Sequence, residues 1–423
     1  MYNAELPPEL ARLVAHRLKD DKRSLQNASL ISSTFRGPCQ EVLFEELQLE
    51  CPNRLRPTSY HPGPPLLSII EQSPFLAKYV NAISIKDDFW EYSGASWRPG
   101  WFSKDEVLPC ALKKILSCGK IKRFELAVGP PYSLAQPEWW CELPALHVEV
   151  LSEMCRSPYL TELTLNGSPI ELSYLCPPLL KRLAVRETFE MNSILPPDSS
   201  TSEVQGETKI QELHICPVTD ISKKFDISHL QTLKAGLYLD IRREVKNLHR
   251  LLEQCGSSLR TLSVADDRPG LHGRRWWELG GCIQQLSLSM QDRLEEIAFD
   301  VRVMLNHSIG DPVAAFLRVL ETLPPSNSLQ WIHLVLRFDW KYQMNDLDGT
   351  TQFPNEGWRQ LNVSLRERME KLQCFHIEFK NDPDIREFIR VRGRAESMQR
   401  RMEAFFLSLE GVRSGWITWK FTL

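Results

Sequence analysis

The chain has 423 residues, 42% of them hydrophobic and 25% charged, with a formal net charge of −3. That composition suits a folded protein of about two to four domains. It lacks the basic excess that nucleic acid or an anionic membrane surface selects, so neither partner is expected. The eleven cysteines include no Cys-x-x-Cys pair. Buried, reduced thiols fit them better than a disulfide framework or a zinc site. Met1 to Leu10 has no basic stretch followed by an apolar one, and no run of about 18 apolar residues occurs elsewhere. A soluble intracellular protein, cytoplasmic and/or nuclear, is expected.

Leu6-Pro7-Pro8-Glu9-Leu10 opens the first element. Proline suits the first turn of a helix, where its missing N–H would be unpaired anyway. Glu9 lies at the positive end of the helix dipole. Leu10, Leu13, Val14 and Leu18 then recur as one apolar stripe at helical spacing. Asp20-Asp21 can cap a second helix through Leu25, Ala28 and Leu30, ending near Phe35 because Gly37-Pro38 should stop it. A third helix is expected from Pro38 through Val42, Leu43 and Phe44. Glu45 to Glu50 alternates, with Leu47 and Leu49 on one face, and reads as a strand. A module of some 45 residues buries little of its own surface, so it should lean on a neighbour or a partner.

Leu6-Pro7-Pro8-Glu9-Leu10, Val14, Leu18, Asp21, Leu25, Ser29-Leu30-Ile31-Ser32 and Phe35-Arg36 resemble the F-box motif. Phe35 stands where tryptophan is commoner. The following Leu43-Phe44 and Leu47-Gln48-Leu49 resemble large fungal F-box families. The resemblance implies docking to a Skp-type adaptor and, through it, to a cullin. Carried over residue by residue, it implies adaptor contacts at Leu6, Pro7, Leu10, Val14, Leu30 and Phe35. The alternative use of Leu10, Val14, Leu30 and Phe35 is as the core of a small helical cap.

Residues 51–65 are rich in proline and arginine and read as a linker. Pro196 to Glu207 is rich in Ser, Thr and Asp and reads as a loop. From residue 66 a pattern of apolar residues at positions 0, +3 and +5 returns: Val80-Ile83-Ile85, Ile121-Phe124-Leu126, Leu160-Leu163-Leu165, Leu180-Leu183-Val185 and Ile210-Leu213-Ile215. It continues with Leu230-Leu233-Ala235, Leu259-Leu262-Val264, Leu294-Ile297-Phe299, Leu329-Ile332-Leu334 and Leu372-Phe375-Ile377. The +3/+5 pair has the period of a strand with one buried face. Helix-period segments intervene at Val107 to Cys118, Val245 to Cys255, Pro312 to Leu323 and Trp358 to Leu372. Strand alternating with helix predicts an α/β fold with a parallel sheet. Gly415 to Leu423 alternates as a final strand, after an amphipathic helix at Met398 to Leu409.

The unit Leu-x-x-Leu-x-Leu resembles a leucine-rich repeat, although from residue 121 onward its starts are 20 to 43 residues apart. The expected organisation is therefore an F-box at 1–50, a linker at 51–65, and an irregular leucine-rich-repeat-like solenoid at 66–423. An ordinary doubly wound α/β domain is the competing fold. In the solenoid reading, positions +2 and +4 line an open surface suited to a protein or peptide ligand. Trp331, His333 and His376 lie on it. Trp276 and Trp277, on a segment with Arg274-Arg275, are further candidates, since tryptophan and arginine commonly anchor interfaces. Trp90, Trp97, Trp101, Trp139 and Trp140 either serve likewise or fill gaps between uneven units. His214, His333 and His376 share position +4 but belong to different repeats, so no shared metal site is expected among them.

No phosphate-binding glycine loop, His-Glu-x-x-His, Gly-x-Ser-x-Gly or dinucleotide fingerprint is present. Asp346-Leu347-Asp348-Gly349 fails as a calcium loop, because Asn355 stands where the bidentate glutamate belongs. The expectation is a non-enzymatic substrate adaptor of a ubiquitin ligase, without cofactor or metal and with an unknown protein substrate. A non-ligase interaction scaffold is the alternative. An α/β enzyme with an unrecognised cysteine–histidine pair is a third reading.

Overall fold

The computed structural model describes residues 6–51, 60–87, 91–93, 96–98, 100–128, 138–141, 143–187, 208–219, 221, 224–237, 241–266, 285–303, 310–338, 356–381, 400 and 417–422. The chain divides into two compact units, Met1–Thr208 and Lys209–Leu423. Both alternate parallel strands with helices.

The first unit begins with three helices, α1 (Pro8–Arg17), α2 (Lys22–Ile31) and α3 (Ser33–Phe44), and runs directly into β1 (Glu46–Glu50). Pro8 lies in the first turn of α1 and Glu9 beside it, while His16 and Arg17 complement the dipole at the other end. Asp21 caps α2. Its Oδ1 accepts the Ser24 N–H at 3.0 Å and its Oδ2 accepts the Ser24 hydroxyl at 2.6 Å. The break between the second and third helices differs from the sequence expectation. It falls at Ser32, in extended backbone at φ −137° and ψ 132°, and Pro38 lies inside α3. Pro38 costs α3 one backbone hydrogen bond. Packing of Cys39, Phe35, Val42 and Leu43 on the shared core holds the helix through it.

The unit continues through α4 (Gly63–Gln72), β2 (Ala82–Asp87), a short hairpin β3 (Glu91–Ser93) and β4 (Ser96–Arg98), and α5 (Leu108–Cys118). Then follow β5 (Arg123–Val128), α6 (Glu138–Cys141), α7 (Ala145–Cys155), β6 (Glu162–Asn166) and β7 (Arg182–Arg186). β1, β2, β5, β6 and β7 pair in that order, all parallel. α4 and α5 meet through Asp105, whose Oδ2 accepts the Gly63 N–H at 2.7 Å and whose Oδ1 accepts the Leu108 N–H at 3.0 Å. Trp101 and Phe102 are fully buried, and the Trp101 indole N–H donates to the Lys86 carbonyl at 3.3 Å. Trp140 is buried as well. Trp101 and Trp140 therefore fill the interior.

The second unit contains β8 (Glu212–Cys216), β9 (Thr232–Leu237), α8 (Ile241–Cys255), β10 (Thr261–Asp266) and β11 (Glu296–Val303). After these come α9 (Gly310–Glu321), β12 (Trp331–Phe338), α10 (Glu356–Arg368), β13 (Cys374–Asn381) and β14 (Ile417–Thr422). β8 to β14 pair in chain order, all parallel. Neither unit's strand order reverses, so neither has the switch point of a doubly wound sheet.

The repeat spacing read from sequence sets the register. In the second unit Leu213, Leu233, Leu262, Ile297, Ile332, Phe375 and Ile417 oppose one another from strand to strand. All seven are buried. In the first unit Leu47, Ile83, Phe124, Leu163 and Leu183 form the equivalent row. Position 0 is buried just before the strands, as at Ile121, Leu160, Leu180, Leu259 and Leu329. One backbone rung precedes the strands too. Gln231 N–H donates to Gln211, Arg260 to Gln231, Glu295 to Arg260, Gln330 to Glu295 and Gln373 to Gln330, each at 2.8 Å. Between the buried rows, positions such as Glu162, Thr164, Ser263 and His333 keep contact with solvent. The sheets thus have one packed face and one open face, unusual for parallel strands, which are normally covered on both sides.

The cysteines in the described residues are all free. No helix among those residues is long and apolar enough to cross a membrane. The Pro196 to Glu207 loop, the Met398 to Leu409 helix apart from Arg400, and linker residues 52–59 lie outside the described residues.

Candidate functional site

Two surfaces carry the residues singled out in the sequence. The first belongs to α1–α3. Its core is small: Ala15, Leu25 and Cys39 are buried, with Leu18, Ala28, Phe35, Val42 and Leu43 packed around them. α1 turns its alanines inward, since Ala11 and Ala15 are fully buried. Of the stripe read in the sequence, Leu18 packs on this core and the rest faces the other way. Leu10, Leu13 and Val14 are exposed, as are Leu30 and Ile31 at the end of α2, at 79% and 83%. Leu6 and Pro7 are exposed too. Of the six adaptor-contact residues implied by the resemblance, five therefore lie at the surface. Phe35 is half-buried against the core cluster and supports α3. Leu13 and Ile31 belong with the exposed set but were not among the implied adaptor contacts. Leu13 was recognisable as part of the α1 stripe, and Ile31 as the neighbour of Leu30. Leaving this much apolar side chain in water is unfavourable by about 25 cal/mol per Å², which a covering partner recovers.

The second surface is the open face of β11 to β14. In-register parallel pairing places equal positions of successive strands side by side, at the ~4.8 Å strand spacing. His333 on β12 opposes His376 on β13, which opposes Thr418 on β14. The two imidazoles lie 4.9 Å apart, centroid to centroid. His376 Nδ1 is 2.8 Å from the Thr418 hydroxyl oxygen. Glu378, two residues beyond His376 and on the same face, has a carboxylate only 10% exposed, with Lys380 Nζ at 3.2 Å and Lys420 Nζ at 3.8 Å. His333 Nε2 lies 3.8 Å from the same carboxylate. Burial, and secondly the neighbouring His333 ring, hold His376 below the usual histidine range, so its ring is neutral at pH 7. Nearby, Arg337 pairs with Asp300 at 2.5 Å. Trp331, 47% exposed, ends the row at the start of β12.

This geometry corrects one sequence expectation. Membership of different repeats does not keep His333 and His376 apart, because adjacent repeats superpose equal positions. One nitrogen of each ring and one Glu378 oxygen lie within 4.8 Å of one another, a donor set able to hold a metal ion. His214 is on β8, separated from β12 by three strands. Glu378, Lys380, Thr418 and Lys420 were not singled out in the sequence. β11, β12 and β13 are each eight residues long, whereas β6, β7 and β8 have five. The extra residues carry the face past position +5, where the repeat pattern stops. Trp276 and Trp277 lie outside the described residues.

A comparison with protein-family models finds no match to this sequence, and neither does a comparison with curated proteins.

Proposed function

We infer that this chain is the substrate-recognition adaptor of a Skp–cullin–F-box type ubiquitin ligase. In this reading α1–α3 form an F-box-like module that docks a Skp-type adaptor. The parallel strands with their intervening helices form an irregular leucine-rich-repeat-like domain whose open face binds a protein substrate. The chain performs no chemistry itself. It tethers the substrate close to the ligase and so raises its local concentration.

The observation that carries this reading is the inverted packing of α1. The helix packs inward through Ala11 and Ala15 and presents Leu10, Leu13 and Val14 outward. A solitary cap would do the opposite, because its leucines are the side chains that gain most from burial. An amphipathic helix with its larger apolar side exposed suits a partner's groove. The one-sided sheets support the second half of the reading, since they leave a row of polar and aromatic side chains free for a ligand.

The test is co-purification of the full chain with a Skp-type adaptor, comparing wild type with the Leu6→Ala/Pro7→Ala double variant. Circular dichroism checks that both fold. Interface anchors cost about 2 kcal/mol or more on truncation, so the folded variant should bind at least tens of times more weakly. A folded wild type that binds no such adaptor overturns the reading. Adaptor binding without cullin in the complex makes the chain an interaction scaffold outside the ligase.

A further inference from the structure

We propose that His333, His376 and Glu378 form a binding site for a zinc-type divalent cation on the open face of β12–β14. The proposal stands apart from the ligase reading and needs only the second unit. Two imidazoles and a carboxylate are the borderline donor set that Zn2+ and its neighbours in the transition series prefer. The three donor atoms lie within 4.8 Å of one another. A tetrahedral ion with bonds of about 2.0–2.1 Å needs its ligand atoms roughly 3.3 Å apart. Small side-chain rotations would close that difference, and the His333 side chain is 40% exposed.

Two details separate this arrangement from a chance grouping of polar residues. His333 Nε2 is enclosed yet has no hydrogen-bond partner. Its distance of 3.8 Å from Glu378 is too long for one. A buried, unpartnered imidazole nitrogen is unfavourable, and a metal bond satisfies it. His376 has the outer support typical of a metal ligand. When its Nδ1–H donates to the Thr418 hydroxyl at 2.8 Å, the tautomer is fixed and the Nε2 lone pair is left free. Three protein ligands leave the fourth position of a tetrahedral ion to water or to a donor from a bound partner.

Lys380 and Lys420 now neutralise Glu378. They compete with a cation for its carboxylate, which makes the site weaker than three bare ligands would be. Both are long, partly exposed side chains able to swing away. That competition gives the site a signature no surface thiol shares: removing an amine should tighten binding.

The experiment is titration of the reduced full-length protein with zinc chloride, followed by calorimetry, and with Co2+, followed by its visible absorption. The expected result is one ion whose affinity falls at least tenfold in each of His333→Ala, His376→Ala and Glu378→Gln. Lys420→Met should bind several-fold more tightly. Thr418→Val, which removes the positioning hydroxyl, should lose about 10- to 100-fold. Co2+ should give tetrahedral bands without the near-ultraviolet charge-transfer absorption of thiolate ligands. Two results overturn the proposal. One is equal binding by wild type and the His333→Ala variant, whose half-exposed ring leaves folding intact. The other is a Co2+ spectrum dominated by thiolate, which would place the ion on exposed cysteines such as Cys110, Cys118 or Cys141.

Discussion

Leu25 and Leu30 lie five residues apart on α2 and should separate folding from docking. Leu25 is 1% exposed at the centre of the small helical core, whereas Leu30 is 79% exposed. Leu25→Ala removes three buried carbons and leaves a cavity, at a cost of about 2–5 kcal/mol. A module of some 40 residues has only about 2–6 kcal/mol of stability of its own. Leu25→Ala should therefore unfold α1–α3 in a large fraction of molecules. Leu30→Ala should change stability by no more than about 0.5 kcal/mol, because it removes nothing that is packed. Its effect should appear in the complex. Three carbons at about 0.8 kcal/mol each, scaled by the 79% of the residue still open to a partner, amount to about 1.9 kcal/mol, or roughly 25-fold in Kd. Amide hydrogen exchange over α1–α3 reads the first effect, and titration with a Skp-type adaptor reads the second. Equal adaptor affinity of wild type and Leu30→Ala, with both fully protected from exchange, would refute the assignment of the α2 end to the interface. Loss of protection in Leu30→Ala comparable to that in Leu25→Ala would refute the packing argument itself.

Other consequences are equally direct. The Ser24 hydroxyl and then the Ser24 backbone N–H hold the Asp21 carboxyl below its ordinary value of 3.8. Because the folded value is the lower one, the cap's contribution is present above about pH 4 and is lost as pH falls through the folded value. Asp21→Ala should thus weaken α2 at pH 7, and the difference from wild type should shrink in denaturation measurements as pH falls below the ordinary carboxylate value. Burial pushes the Cys155 and Cys255 thiols up to about 12. Native protein at pH 8 should be alkylated at Cys110, Cys118 and Cys141 long before either, and mass spectrometry showing equal rates would contradict their burial. At Gly63 an added Cβ would lie 2.4 Å from both the Asp105 carboxylate and the Leu108 backbone nitrogen. Gly63→Ala should force α4 and α5 apart and cost about 1–3 kcal/mol in a denaturant titration. An unchanged midpoint would contradict that close approach.

The repeats were legible in the sequence because they rest on period-two burial, which needs no knowledge of distant residues. Each marked apolar triplet coincides with a described strand, from Ile83 in β2 to Phe375 in β13. What failed to show at the N-terminus was direction. An apolar stripe such as Leu10, Leu13 and Val14 fixes the period of a helix but not which side meets the core. Here the neighbours of α1 accept Ala11 and Ala15 instead. Gly37-Pro38 misled for a related reason. Local propensity places the helix break there, but tertiary packing around Cys39 carries α3 through it and Ser32 supplies the break.

Uneven repeat lengths conceal a constant register, and that has a functional consequence. Insertions of different length between strands go into the connections, while the strands still meet rung by rung. Side chains at one repeat position therefore form a row across the open face, however far apart they are in the chain. Residues 333, 376 and 418 are separated by more than forty residues at each step, yet they stand side by side. A binding site on such a face is built across strands, by one position in each of several repeats. Substituting a single rung then alters one ligand contact without disturbing the buried row behind it. The His333–His376–Thr418 row follows this pattern, with Ile332, Phe375 and Ile417 packed beneath as its fixed support.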